Sequence, residues 1–145
     1  MSRCFIYNLN FRVALDIIML YIVREEGESM KITSLDNVQK VRMNMEGAKD
    51  AFKQIPISSA DGTPNLSVRV FTIEPEGHTP YHTHPFEHLN YIIQGRGALV
   101  TEDGTERPLK QGDFVLVLPG EKHQYKNKAK DQPLIMICAV PKEYE

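Results

Sequence analysis

The chain has 145 residues, 41% of them apolar and 25% charged, which suits one domain with a modest core and excludes wholesale disorder. Seventeen Lys and Arg stand against nineteen Asp and Glu, a formal net charge of −2 with no basic stripe, so nucleic acid is excluded as a partner. Two cysteines, Cys4 and Cys138, are too few for a disulfide framework; they read as free thiols and point to a reducing, cytoplasmic setting.

No segment reaches the roughly 18–20 unbroken apolar residues that a bilayer requires, so no membrane partner is expected. The nearest is Val13 to Val23, eleven residues interrupted by Asp16. Arg24-Glu25-Glu26-Gly27-Glu28 follows it without a small-residue cleavage site, which argues against a signal peptide. Two readings stay open. The stretch is an amphipathic helix packed on the domain or on a partner chain, or it is a translated leader with Met30 as the working start. The leader reading rests on Arg24-Glu25-Glu26-Gly27, which is codon-compatible with a purine-rich ribosome-binding site just upstream of the Met30 codon. The chain therefore divides into an N-terminal extension over residues 1–29 and a single domain over 30–145.

From Met30 the texture is that of short strands. Lys40 to Met45 alternates, with Val41, Met43 and Met45 on one side. Ala51 to Ile57 is a strand or a short helix; so few residues do not separate the two periods. Leu66 to Ile73 is a strand with Arg69, Phe71 and Ile73 on one face, and Glu74-Pro75-Glu76-Gly77 reads as a turn. His82 to His84 is extended, Leu89 to Gln94 is a strand, and Gly95-Arg96-Gly97 breaks it. Ala98 to Glu102 and Thr105 to Leu109 flank an Asp103-Gly104 turn. Phe114 to Leu118, His123 to Asn127 and Leu134 to Val140 follow. The last is apolar at every position, which suggests burial on both faces. Short strands at eight-to-twelve-residue spacing with turns between them predict an all-β sandwich or barrel.

Four of the five histidines fall where strand geometry can gather them. His82 and His84 are two apart and share a face, His88 has the same parity, and His123 opens another strand. A lone strand histidine is ordinarily structural, but His-x-His-Pro-x-x-His with a fourth imidazole nearby makes a plausible cage for a divalent transition metal.

Gly77-(x4)-His82-x-His84-(x3)-His88-(x6)-Gly95 resembles the first motif of the cupin superfamily, and Gly112-(x5)-Leu118-x-Gly120-(x2)-His123-(x3)-Asn127 resembles the second. The sixteen residues between Gly95 and Gly112 match the inter-motif segment of small single-domain bacterial cupins. The resemblance implies a jelly-roll β-barrel, a homodimer, and one divalent ion per chain held by three histidines and usually one glutamate; parity makes the set here His82, His84, His88 and His123. Mn or Fe leads, and Ni, Co, Cu or Zn is acceptable to the same ligands. Three departures matter. The first spacer is one residue short, Leu118 takes a common proline position, and His88 stands where the family's usual glutamate ligand would be. Glu87 is adjacent, but its parity points it away from His82 and His84.

Four neutral ligands would leave the ion's +2 charge uncompensated, favouring an anionic or enolate-like small-molecule ligand. Alternation from His88 places Asn90 and Ile92 inward, and from His123 it places Tyr125 and Asn127 inward. Asn90 and Tyr125 are therefore candidate pocket residues, and Phe86 and Tyr81 are candidates for the mouth. Arg69 is a candidate carboxylate holder, although a solvated arginine is the plainer reading. His78 reads as a rim residue. Gly95-Arg96-Gly97 opens no helix and is not a nucleotide loop. The expected function is a mononuclear metalloenzyme of dioxygenase or oxidoreductase type acting on a small organic substrate. The alternatives are a decarboxylase or isomerase using the same ion, or a non-catalytic binding module.

Overall fold

The structure is a computed structural model that describes residues 30–145; the Val13–Val23 stretch and Cys4 lie outside the described residues. Thr33–Glu145 form one compact unit. It contains nine strands: β1 Val41–Arg42, β2 Lys49–Ile57, β3 Leu66–His78, β4 His88–Gln94, β5 Arg96–Val100, β6 Glu106–Lys110, β7 Phe114–Val117, β8 Gln124–Asn127 and β9 Leu134–Pro141. All pairings are antiparallel, and the strand order is β6-β5-β8-β3-β9-β4-β7, with β2 added to β3 and β1 to β2. This is the expected jelly-roll barrel.

The sheet curls into the barrel because β3 serves both walls. Its Leu66–Ile73 half pairs with β9, whereas its His78 tip pairs with Lys126 of β8. The expected turn at Glu74–Gly77 is therefore not a turn. The strand continues through it as a large bulge, because β2 advances only from Ala51 to Lys49 while β3 advances from Ile73 to His78. Glu76 takes a φ of 61° there, and a Cβ on Gly77 would lie 2.7 Å from the Lys49 carbonyl oxygen, so only glycine fits. The segment left open as helix or strand is β2. Pro56, which has no N–H to donate, falls within its second register shift, between Gln54 and Ile57.

Inward alternation builds the core from Ile73, Ile92, Val117, Leu134 and Met136. Along β4, His88, Asn90 and Ile92 are buried while Leu89 is exposed, as parity predicts. Along β9, Leu134, Met136, Cys138 and Val140 are buried, and Ile135, Ile137 and Ala139 are half-buried, their face of the sheet being incompletely covered by the described residues. No helix among the described residues is long and apolar enough to cross a membrane.

Candidate metal centre

Two sequence-distant segments are zipped together at the site. His82 and His123 form an isolated antiparallel bridge, with His82 N–H donating to the His123 carbonyl at 3.1 Å and the reverse bond at 3.0 Å. The His84 carbonyl accepts from Gly120 N–H at 2.9 Å, where Gly120 holds a φ of 82°. These bonds bring ligand atoms of His82, His84 and His123 within 4.8 Å of one another.

Each of the three rings is oriented by its own backbone. Nδ1–H of His82 donates to the Pro80 carbonyl at 2.9 Å, that of His84 to Phe86 at 2.5 Å, and that of His123 to Glu121 at 3.0 Å. A carbonyl only accepts, so Nδ1 carries the proton in each ring and Nε2 keeps its lone pair. This is how a metal-ligating imidazole is held in place. The Nε2 of His84 is buried with no hydrogen-bond partner among the described residues. Burial holds the His84 basicity below the usual imidazole range and that of His123 at about 4, so both rings are neutral at physiological pH, as ligands must be. The donor set fits a divalent transition ion.

His88 is placed differently from the other three. Its ring stacks on His84 with centroids 3.7 Å apart, and it lines the same cavity. Its Nε2, however, accepts a hydrogen bond from Arg69 Nη2 at 3.1 Å. Burial, followed by the His84 and Arg69 charges, lowers its pKa to about 2. Three histidines therefore converge, with the fourth beside them. Glu87 is exposed, in line with its parity.

A cavity of about 450 Å³ opens over the cluster, and its lining includes Phe86, Asn90 and Tyr125 as expected. Arg69 corrects the plainer expectation. It is buried rather than solvated, because its face of β3 is the barrel interior that also holds Phe71 and Ile73. Tyr81 is a second correction. It lies outside this lining because its hydroxyl is held by the Thr101 and Glu102 carbonyls, with Lys122 over its ring. His78 is half-buried, with Nδ1 near the Thr79 carbonyl and the Gln124 amide. Lining residues not assigned to the site from sequence include Val41, Met43 and Met45 of the alternating stretch, Lys53 of β2, and Thr79. The Thr79 hydroxyl accepts from Tyr125 N–H at 2.9 Å. Only the alternation at 40–45 carried a signal, and it named a face without saying what the face covers.

Residues 69–140 match the family profile described as "Cupin domain". A curated relative, gentisate 1,2-dioxygenase 1 of Aquipseudomonas alcaligenes, is 31% identical over 96 residues, which are 61% of this chain and 27% of that enzyme's length. Among solved structures, the polyketide cyclase RemF of Streptomyces resistomycificus superposes with a TM-score of 0.73 at 25% identity, covering 78% of this chain and 80% of that one. A protein described as a predicted oxalate decarboxylase from Thermotoga maritima gives 0.67 at 21% identity, covering 77% and 98%.

Proposed function

Residues 69–140 carry a cupin domain, and from that premise we propose that the protein is a mononuclear metal-dependent enzyme of dioxygenase type, acting on a small organic substrate bound through oxygen. The observation that carries the reading is the set of three Nδ1–H bonds to backbone carbonyls, which leave three imidazole lone pairs to converge beneath a cavity. The likeness to a gentisate dioxygenase over part of its length supports the oxidative version. A bound divalent ion, Mn or Fe before Ni, Co, Cu or Zn, would supply Lewis acidity and, if redox-active, electron exchange with dioxygen.

The chain's own residues do the rest. His82, His84 and His123 would hold the ion, with His88, whose Nε2 here accepts from Arg69, as the fourth ligand. Val41, Met43, Phe71 and Phe86 give the cavity apolar walls that exclude water. Assembly belongs to the same reading. The chain pairs with a second copy, supported by Leu89, Phe114, Leu116 and Leu118, which are 52, 74, 57 and 50% exposed on or just after β4 and the edge strand β7. The buried free thiol of Cys138 suits a reducing cytoplasm.

A second reading is favoured by the fuller superposition on the polyketide cyclase. In it the same centre acts as a Lewis acid without redox turnover, in decarboxylation, isomerisation or ring closure. Elemental analysis of the purified protein, followed by oxygen uptake with a panel of small phenolic and enolic acids, tests both. Stoichiometric metal and substrate-dependent oxygen uptake are expected. Product formation without oxygen uptake would transfer the assignment to the second reading, and the absence of metal would overturn both.

A further inference from the structure

The charge on the cavity wall is one-sided. Among the described residues Arg42, Lys53 and Arg69 line it, and no Asp or Glu does. Arg42 is offset by Asp50 at 2.8 Å and is well exposed. The nearby Glu145 carboxylate is engaged by Ser59 and Ser67, outside the lining. Arg69 is the deep cation, 7% exposed. Its Nη1 donates to the Tyr144 carbonyl at 3.1 Å, and its Nη2 lies 3.1 Å from His88 Nε2 and 3.2 Å from Cys138 Sγ. Its Nε is buried and has no hydrogen-bond partner among the described residues.

Two further donors share that condition. The Asn90 carboxamide nitrogen, on a residue 1% exposed, and the Tyr125 hydroxyl, on a residue 4% exposed, are buried without a partner among the described residues. Strand register aligns the first two donors. Arg69 pairs with Cys138 across β3 and β9, and Cys138 pairs with Asn90 across β9 and β4, so Arg69 and Asn90 lie on one inner row flanking Cys138. An unsatisfied buried donor is costly, and three on residues that line one cavity call for a partner that the described residues do not supply.

We propose that Arg69, Asn90 and Tyr125 form an organic carboxylate subsite beside the histidine cluster, with the apolar wall of Val41, Met43 and Phe71 receiving the body of the acid. This rests on reading the cavity as the substrate site. A carboxylate is the acceptor this set matches. One carboxylate oxygen suits the unpartnered Arg69 Nε–H, and further lone pairs remain for an amide and a phenol. The subsite is assembled from protein groups alone, so it works whether or not the histidines hold an ion.

Calorimetric titration of chelator-treated and metal-loaded protein with benzoate, and with its neutral isostere benzamide, tests the proposal. Saturable benzoate binding to the metal-free protein is expected, with benzamide at least about tenfold weaker. Arg69→Lys, which keeps charge but loses the Nε–H donor, and Tyr125→Phe should each weaken benzoate by at least about tenfold. Tyr125→Phe removes a hydroxyl that has no partner, so its melting temperature should not fall and lost binding cannot be lost folding. Equal affinity for benzamide, unchanged affinity in both variants, or no benzoate binding at all would overturn the subsite. Binding that appears only with metal and survives Arg69→Lys would also overturn it while leaving the metal centre standing. Binding that depends on Arg69 in a protein that never takes up metal would sustain the subsite and remove the metal reading.

Discussion

Arg69 and His88 share one hydrogen bond, 3.1 Å from Nη2 to Nε2, and it decides what His88 can do. A guanidinium only donates, so the His88 Nε2 lone pair is the acceptor. That lone pair serves Arg69 or a metal, not both at once. Ligation by His88 would therefore compete with Arg69 directly.

The competition gives the first prediction. Arg69→Met should raise metal affinity in a chelator competition, and most of that gain should vanish in the Arg69→Met, His88→Ala double variant. His88→Ala alone should weaken metal binding without abolishing it, and Glu87→Ala should leave it unchanged because Glu87 is exposed. An undiminished gain in the double variant would reduce the Arg69 effect to charge alone and remove His88 from the ligand set.

Replacement of His84 or His123 by Ala should eliminate stoichiometric metal while the barrel stays folded. The core of Ile73, Ile92, Leu134 and Met136 does not depend on an ion, unlike that of a zinc finger. Metal-to-protein ratio and far-ultraviolet circular dichroism check the two halves separately. A variant that retains one metal per chain would contradict the assignment.

The metal-free protein should lose thermal stability on acidification from about pH 6.5 toward 4. Burial lowers His123 from the ordinary 6.5 to about 4, so across that window the unfolded chain binds a proton that the folded chain refuses. The stabilisation is complete above 6.5 and declines as pH falls toward 4. Melting temperatures measured from pH 8 to 4.5 should show the decline, with a shallower slope in His123→Gln. A flat profile, or one that rises on acidification, would contradict the burial of a neutral ring.

Gly97→Ala should destabilise the fold by about 1–3 kcal/mol. A Cβ at this β5 position would sit 2.3 Å from the Lys126 carbonyl oxygen and 2.8 Å from Leu134 Cδ2, so backbone must yield. A denaturant midpoint equal to wild type would mean that β5 and β8 lie further apart than the pairing of Gly97 with Asn127 indicates.

Light scattering at micromolar concentration should give the mass of two chains, and Phe114→Lys with Leu116→Lys should give one. Phe114 and Leu116 lie opposite Tyr91 and Leu89 across β4 and β7, so two charges there interrupt one continuous apolar surface. A wild-type monomer would refute pairing through this face.

The sequence by itself determined short strands of a sandwich or barrel and the inner face of several of them, because period-two alternation is a local property, while the jelly roll came from the resemblance carried by the two histidine motifs. Asn90 and Ile92 follow from His88, and Tyr125 from His123, by counting. The pair of histidine segments was legible for the same reason, since parity places His82 and His84 together. Which donors meet was decided only by the tertiary structure. Arg69 looked like a solvated strand residue until β9 set it in one row with Cys138 and Asn90, and no local pattern encodes that register. Glu74–Gly77 carried every mark of a turn, yet pairing of His78 with both Lys49 and Lys126 holds it as a bulge in a continuous strand. His88 had the parity of a ligand. Its actual partner comes from a strand nineteen residues earlier, because the barrel interior is shared by side chains whose proximity arises from closure rather than from spacing along the chain.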